Sequence, residues 1–385
     1  MQWFLVAVQV TLAVTLLTGA GLLLRSLQQL NRVSPGFDPS HVLTFQISGS
    51  WAETADMPSL IRRIDRTLDS LRAMPGVEAA ATTSALPGVP FQYQVEFKLD
   101  GSLDINRKIL ADNRWVSSGY FDTLSIPLLQ GDPCKEGSAT NDLLVNRSFA
   151  NRYLANSPAI GHNLAAAAYN DFSSAGMVHG VVADAREEGL NVAPVPTVYS
   201  CLSAPNPFPT YLVRTHGDPM AMAESIRRRI HQIEPGRSVY AIMPLQDHLD
   251  EASSGNRLRT ILLALFAATA VSLASIGLYG TLNYLGRMRQ REVGVRLALG
   301  AARSRIVTQF LFQGLRVTLY GCIAGVALSL ATGRLVASML YGISPLDPAT
   351  YIGVLILILA VATAASFLPA WRAARVDPVQ ILRQE

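Results

Sequence analysis

The chain has 385 residues, and its hydrophobic share of 50% with a mean hydropathy of +0.26 is too high for an ordinary soluble protein, so membrane spans are expected. Residues 1–259 carry 21 basic and 24 acidic side chains and residues 260–385 carry 11 and 4, so the net +4 reflects an uneven membrane protein rather than a nucleic-acid binder. None of the three lysines (Lys98, Lys108, Lys135) lies in a G-x-x-x-x-G-K-[ST] stretch, which excludes ATP hydrolysis through a phosphate-cradling loop.

Trp3 to Leu24 is an uncharged run of 22 residues, enough to cross a hydrocarbon core at about 1.5 Å per residue. A cleaved signal peptide is the rival reading, but Met1-Gln2 supplies no basic start and the run is longer than a usual apolar signal core. A retained helix is expected.

Arg25 to Arg259 is a mixed polar region with the alternation and punctuation of an α+β fold. His41 to Ser48 reads as a strand, and Pro58 to Ala73, with Leu60, Ile61, Ile64, Leu68 and Leu71 at helical spacing before Pro75-Gly76, reads as an amphipathic helix. Strands are expected at Phe91 to Leu99, Met177 to Val182, Thr197 to Cys201 and Thr210 to Arg214. Helices are expected at Leu143 to Leu154 and Asp218 to Ile233, and the alternation suggests two βαβ-like lobes. The six histidines of the chain form no H-E-x-x-H motif, and there is no G-x-S-x-G turn, so no catalytic or metal-binding constellation emerges. Asn146-Arg147-Ser148 fits a glycosylation sequon, which is read as chance in a chain of bacterial type. Cys134 and Cys201 are the only cysteines able to meet outside an apolar run, and whether they pair stays open.

Ile261 to Leu285 is the second span. The third lies between Arg316 and Arg334, uncharged over 17 residues, where Gly321 and Gly325 are four apart and would let two helix backbones approach closely. Tyr351 to Leu368 is the fourth, closed by Trp371, Arg372 and Arg375. Between the second and third spans, Gly286 to Gln309 carries six arginines against one acid, Glu292, and so short a basic link is retained in the cytoplasm. That fixes residues 25–259 and the 335–350 link outside and the C-terminal tail inside. Arg289, Glu292, Arg296 and Arg303 share one face if the link is helical, with Val293 and Leu297 as an apolar pair, before a turn at Gly300-Ala301. Charge alone reads this as a solvated retention signal or as a docking helix.

The sequence Arg291-Glu292-Val293-Gly294-Val295-Arg296-Leu297-Ala298-Leu299-Gly300-Ala301 resembles a signature of the FtsX and MacB family of ABC transporter permeases. Leu368-Pro369-Ala370-Trp371 through Pro378 is similar to that family's closing segment. Val116 to Leu124 and Val145 to Ala150 resemble the MacB-like periplasmic core domain, and the opening segment through Pro35-Gly36-Phe37-Asp38 resembles one half of the duplicated permeases of acidobacteria. Cys134 and the Leu164 to Asn170 stretch depart from the family pattern, so its cargo-facing residues are not carried over.

The resemblance implies a membrane α-helical fold of four transmembrane helices with a large α+β core domain between helices 1 and 2. The domains would be residues 1–24, 25–259 and 260–385, the last an FtsX-like permease domain. It implies a permease subunit of a mechanotransmitting ABC transporter in the bacterial inner membrane, exporting a hydrophobic compound, peptide or lipoprotein. A separate ATPase subunit would grip Arg289, Glu292, Gly294, Arg296, Gly300 and Arg303. The other expected partners are a second permease unit, membrane lipid and a periplasmic or outer-membrane protein; no nucleic acid, metal or cofactor is expected, and the chain itself is not expected to be an enzyme. The alternative is a membrane-anchored scaffold of FtsX type that controls a wall hydrolase and moves no solute. A cysteine introduced at Ser304 is expected to stay unlabelled by an impermeant thiol reagent in intact cells; labelling there would reverse the whole threading.

Overall fold

The computed structural model describes residues 2–30, 33–91, 93–99, 109–135, 142–155, 157–166, 175–202, 206–288, 302–337 and 340–374. The chain divides into two compact units, one of Met1–Arg32 with Gly255–Glu385 and one of Val33–Ser254.

The Val33–Ser254 unit is built on strands, and its first lobe interleaves two βαβ connections. Strand β1 (Val42–Ile47) leads through helix α2 (Met57–Arg72) to β2 (Val77–Thr83), and β10 (Thr210–Thr215) leads through helix α5 (Ala223–Ile233) to β11 (Val239–Pro244). The strand order is β11-β1-β10-β2 with every pairing antiparallel, the split-βαβ arrangement in which each crossover straddles one strand of the other. Helix α2 forms because its apolar residues recur at 3 and 4 while Asp56 caps it, accepting from the Ser59 amide at 3.1 Å, with Pro58 in the first turn. Its stripe of Leu60, Ile64, Leu68 and Leu71 is buried with Ile226 and Ile230 of α5 against Leu43, Phe45, Tyr211 and Val213 of the sheet. The helix ends at Arg72, and Gly76, four residues on, turns the chain into β2 with a positive φ of 89°.

The second lobe, inserted between β2 and β10, is a closed ring of strands. Strand β4 (Ile109–Val116) pairs with β3 (Gln94–Leu99), β3 with β7 (Asn163–Ala166), β7 with β8 (Ala175–Val182), β8 with β6 (Asp142–Asn146), β6 with β9 (Thr197–Cys201), and β9 returns to β4. Closure leaves no free edge within the ring, while β5 (Leu128–Gly131) adds to β8 outside it. Phe97, Leu143, Val145, Phe149, Val178 and Val198 form this lobe's core. Of the two βαβ-like lobes expected from sequence, one is therefore interleaved βαβ and the other is a barrel.

The expected helix Leu143 to Leu154 is corrected to strand β6 followed by helix α4 (Arg147–Tyr153). Strand β6 lies between β8 and β9, so its backbone is satisfied on both sides and all five residues are buried. Asn146 ends it: its Oδ1 accepts from the amides of Phe149 at 2.9 Å and Thr197 at 3.0 Å, capping α4. The same residue is the asparagine of the sequon, and its burial removes it as a glycan acceptor.

Between the lobes of this unit sits a third core with Val116, Tyr120, Phe121, Leu144, Tyr199 and Leu212. Cys134 and Cys201 form a disulfide there, closing a loop with a sequence separation of 67. A cross-link over so long a loop stabilises mainly by restricting the unfolded chain.

Beside that core, one buried arginine meets three carboxylates. The Arg114 Nη2 group donates to Asp112 Oδ2 at 3.3 Å, Glu188 Oε1 at 3.1 Å and the carbonyls of Phe91 and Glu187, and its Nε lies 3.4 Å from Glu187 Oε2. Glu187 also accepts from the Tyr199 hydroxyl at 2.7 Å. One cation cannot offset three buried anions, so protons are retained. Burial, followed by a hydrogen bond shared with Asp112, pushes the Glu188 carboxyl up to about 8, and burial likewise raises Glu187. The folded domain therefore holds protons that the unfolded chain gives up above its ordinary carboxylate range, and its stability falls as pH rises from about 5 towards 8. Thermal unfolding of the solubilised full chain between these pH values is expected to show this decline, and Glu188→Gln is expected to flatten it; an unchanged slope in the variant would remove Glu188 as the cause.

Candidate functional site

Among the described residues, four helices are long and apolar enough to cross a membrane, with candidate spans at Trp3–Leu30, Arg257–Leu285, Ser304–Gly333 and Pro348–Trp371. They belong to α1 (Gln2–Leu30), α6 (Leu245–Met288), α7 (Arg303–Ala337) and α8 (Pro348–Ala374). Each coincides with a run read from the sequence and extends beyond it; helix α6 alone is 44 residues long.

The tightest seam of the helical unit lies between α1 and α7. A Cβ on Gly321 would stand 2.7 Å from Val10 Cβ and 3.0 Å from the Ala7 carbonyl, and one on Gly325 would stand 2.7 Å from Val14 Cβ and 2.9 Å from the Thr11 carbonyl. Only glycine allows these backbones to approach so closely. On α1, Ala7, Val10, Thr11 and Val14 follow at helical spacing, so one face meets both glycines. The exposed carbonyls of α7 are used as well: Thr11 Oγ1 reaches the Gly321 carbonyl and Thr15 Oγ1 the Gly325 carbonyl, each at 3.3 Å, while both hydroxyls also donate within α1.

Two further crossings repeat the device with a polar side chain against a glycine. Gly314 of α7 would place a Cβ 2.8 Å from Ser366 Oγ of α8, and Gly277 of α6 lies against Gln9 Oε1 of α1. Both polar atoms are buried without a hydrogen-bond partner, so they face glycine backbone rather than a donor. Around them pack Val6, Leu278, Leu282, Phe310 and Ile358.

At the end of α1 near residue 25, polar contacts fasten the unit. Arg25 pairs with Asp347, and Asp347 caps α8 by accepting from the Thr350 amide at 2.9 Å and hydroxyl at 2.6 Å. Those bonds from Thr350, joined by Arg25, hold the Asp347 carboxyl below the usual carboxylate range. The Ser26 hydroxyl accepts from the Tyr341 amide at 2.8 Å.

Of the residues singled out from the sequence, Gly321 and Gly325 thus lie together on one seam. Arg289, Glu292, Gly294, Arg296 and Gly300 lie outside the described residues, and Arg303 is the first residue of α7, with its side chain outside them. The sequence reading missed Thr11, Thr15, Gln9 and the Arg25–Asp347 pair. The threonines carried a readable signal, being four apart on a helix like the glycines they meet, whereas the Arg25 partner is 322 residues away. Histidines serve local structure: His41 Nδ1 sits 2.9 Å from the Gly217 carbonyl and His248 Nε2 2.9 Å from Thr44 Oγ1. Among the described residues no group of three or more His, Cys, Asp or Glu is placed to hold a metal ion.

Substituting the seam glycines tests this geometry. Gly321→Leu or Gly325→Leu is expected to force the helices apart and lower stability by about 3 kcal/mol or more, as overpacking does at its upper end. Gly280→Leu, where nothing lies within 4 Å of the added carbon, is expected to be neutral. Thermal unfolding in detergent checks both, and equal behaviour of the three variants would dismiss the seam.

Residues 264–378 match the family model described as FtsX-like permease C-terminal. The macrolide export ATP-binding/permease protein MacB of Bordetella avium is 37% identical over 133 residues, covering 33% of this chain and 20% of that protein. The pyoverdine export ATP-binding/permease protein PvdT of Pseudomonas syringae pv. syringae is 28% identical over 162 residues, covering 42% of this chain and 24% of that protein. The chain thus spans no more than about a quarter of the length of these relatives. The periplasmic region of MacB from Actinobacillus actinomycetemcomitans aligns with a TM-score of 0.38 at 12% identity, over 57% of this chain and 95% of that structure. Through the match at residues 264–378 and its partial likeness to these export permeases, the chain is similar to the FtsX/MacB-like permeases.

Proposed function

We propose that this chain is the permease subunit of an ABC transporter that exports a hydrophobic compound, peptide or lipoprotein from a bacterial inner membrane, with ATP hydrolysis supplied by a separate subunit. The observation that carries the reading is the α1–α7 seam. Helix α7 starts at Arg303, within the arginine-rich 286–309 segment, and is locked to α1 at Gly321 and Gly325. A push on residues 286–309 would travel along α7 and across the seam, because packed helices move as rigid bodies rather than deform. The kinship with proteins named for export of macrolides and pyoverdine supports transport as the purpose of that movement.

In this reading residues 25–259 form the periplasmic domain, 1–24 the first span, and 260–385 the permease domain. The basic excess beyond residue 259 supports an inside location for the 286–309 link. The Cys134–Cys201 disulfide supports an oxidising, external location for the β-rich unit. A second permease unit completes the assembly, and a periplasmic or outer-membrane protein receives the cargo.

Arg289, Glu292, Gly294, Arg296, Gly300 and Arg303 are proposed to meet the ATPase, with Glu292 as the discriminating residue. If the link is helical, an exposed pair of Glu292 with Arg289 or Arg296 would contribute only about 0.3 to 0.5 kcal/mol, too little to govern folding. At a desolvated contact with a basic partner its loss would cost roughly 2 to 5 kcal/mol of binding. Glu292→Ala is therefore expected to leave membrane levels near normal while weakening ATPase co-purification at least about thirtyfold, with Glu292→Lys worse. Full association and export activity in the alanine variant would sink the docking role.

A further inference from the structure

Helices α1, α6 and α8 line an open groove of about 800 Å³ in the helical unit, toward the end marked by Arg25, with Ala264, Ala268 and Leu357 exposed along it. Its walls come from small and aliphatic residues, among them Ala20 and Gly21 of α1, Ala264 and Ala268 of α6, and Gly353 and Leu357 of α8; Arg25 and Thr260 stand at one end. The space exists because α6 meets the other helices through Gly277, Leu278 and Leu282, while Ile261, Leu262, Leu265 and Phe266 remain exposed. The volume falls within the range of roughly 300–1,000 Å³ typical of small-molecule sites.

The surroundings select the occupant. Apolar walls offer water few hydrogen bonds, and the groove opens outward between the helices, so whatever fills it enters from the surroundings. In a bilayer, the material at hand to fill it is a lipid acyl chain. The charge at the Arg25 end selects the headgroup. Arg257 and Arg259 are exposed on α6 within one helical turn of Thr260, which lines the groove, and Arg25 at the same end pairs with Asp347. Under the orientation proposed above these arginines lie on the outer side, against the usual bias that keeps arginine inside. Basic pockets between membrane helices suit anionic lipid headgroups.

We propose that this groove is a binding site for an anionic diacyl phospholipid of the surrounding bilayer, its chain between α1, α6 and α8 and its phosphate toward Arg257 and Arg259. The leaflet assignment rests on the proposed orientation; occupancy itself does not. The lipid holds α6 apart from α1 and α8 at this level while the Gly277 crossing keeps them joined.

The test uses the full chain, stripped of loosely held lipid in detergent and titrated with phosphatidylglycerol or phosphatidylcholine under native mass spectrometry. One phosphatidylglycerol is expected to bind roughly thirtyfold more tightly than phosphatidylcholine, from about 1 kcal/mol for each of the two arginines near the headgroup. Ala268→Phe, which fills the groove, is expected to abolish retention of both lipids. The double variant Arg257→Gln/Arg259→Gln is expected to retain one lipid and lose the preference. Ile276→Phe, exposed and outside the groove, is expected to behave as the parent. Size-exclusion profiles report folding, and the double variant carries the test if Ala268→Phe fails to fold. Equal retention in Ala268→Phe, no preference in the parent, or a disulfide between two copies through Ala268→Cys would each overturn the site, the last by assigning the groove to a second copy. ATPase co-purification reads the opposite end of the helices, so failure here would leave the transport reading standing, and the reverse.

Discussion

The close approach of two helix backbones at Gly321 and Gly325 is the contact on which the helical unit depends. In lipid, association gains nothing from burying apolar surface, since acyl chains are as apolar as leucine, so helices are held by shape and by polar contacts across the seam. Removing Cβ at two positions one turn apart brings the α1 face of Val10, Thr11 and Val14 onto α7, and the threonine hydroxyls then reach carbonyls of the neighbouring helix. Gly314 against Ser366 and Gly277 against Gln9 repeat the principle at weaker crossings. Gln9 Oε1 and Ser366 Oγ are buried there against glycine without a hydrogen-bond partner, so those crossings rest on close packing alone.

The β-rich unit answers a different constraint. Its interleaved lobe is an ordinary two-layer solution, with amphipathic α2 and α5 covering one face of an antiparallel sheet. The barrel lobe removes its edges by closure instead. Between them the Arg114 cluster puts one cation among Asp112, Glu187 and Glu188, with Arg114 Nη1 and one oxygen of each glutamate lacking hydrogen-bond partners. Such a centre is a poor source of stability beside an apolar core of equal volume, and its burial makes the unit responsive to protons. Arg214 fixes the entry to the same unit more conventionally, with its guanidinium bonded to Thr123, Ser40 and both the carbonyl and carboxylate of Asp38.

The four long helices were legible because a span announces itself by length and absence of charge, and the helical and strand periods of α2, α5, β1, β9 and β10 were equally local. Strand β6 was not, since Leu143-Leu144-Val145 has no alternation to betray a strand buried on both faces. Strands β2, β4 and β7 were missed for the related reason that Ala-Thr runs and charged residues such as Asp112 and Arg114 read as polar loop until their neighbours are known.

What the sequence alone determined was the number of spans, their expected orientation through the arginine imbalance, and the motif around Glu292 that resembles a permease signature; each is encoded within about twenty consecutive residues. What only the tertiary structure decided was the partnership of distant positions: Gly321 with Val10, Arg25 with Asp347, Cys134 with Cys201, Arg114 with Glu187 and Glu188, and the groove left where α6 stands away from α1 and α8. The physical reason is that hydropathy and helical period act between neighbours along the chain, whereas close packing and charge burial act between residues that meet only after the chain has folded.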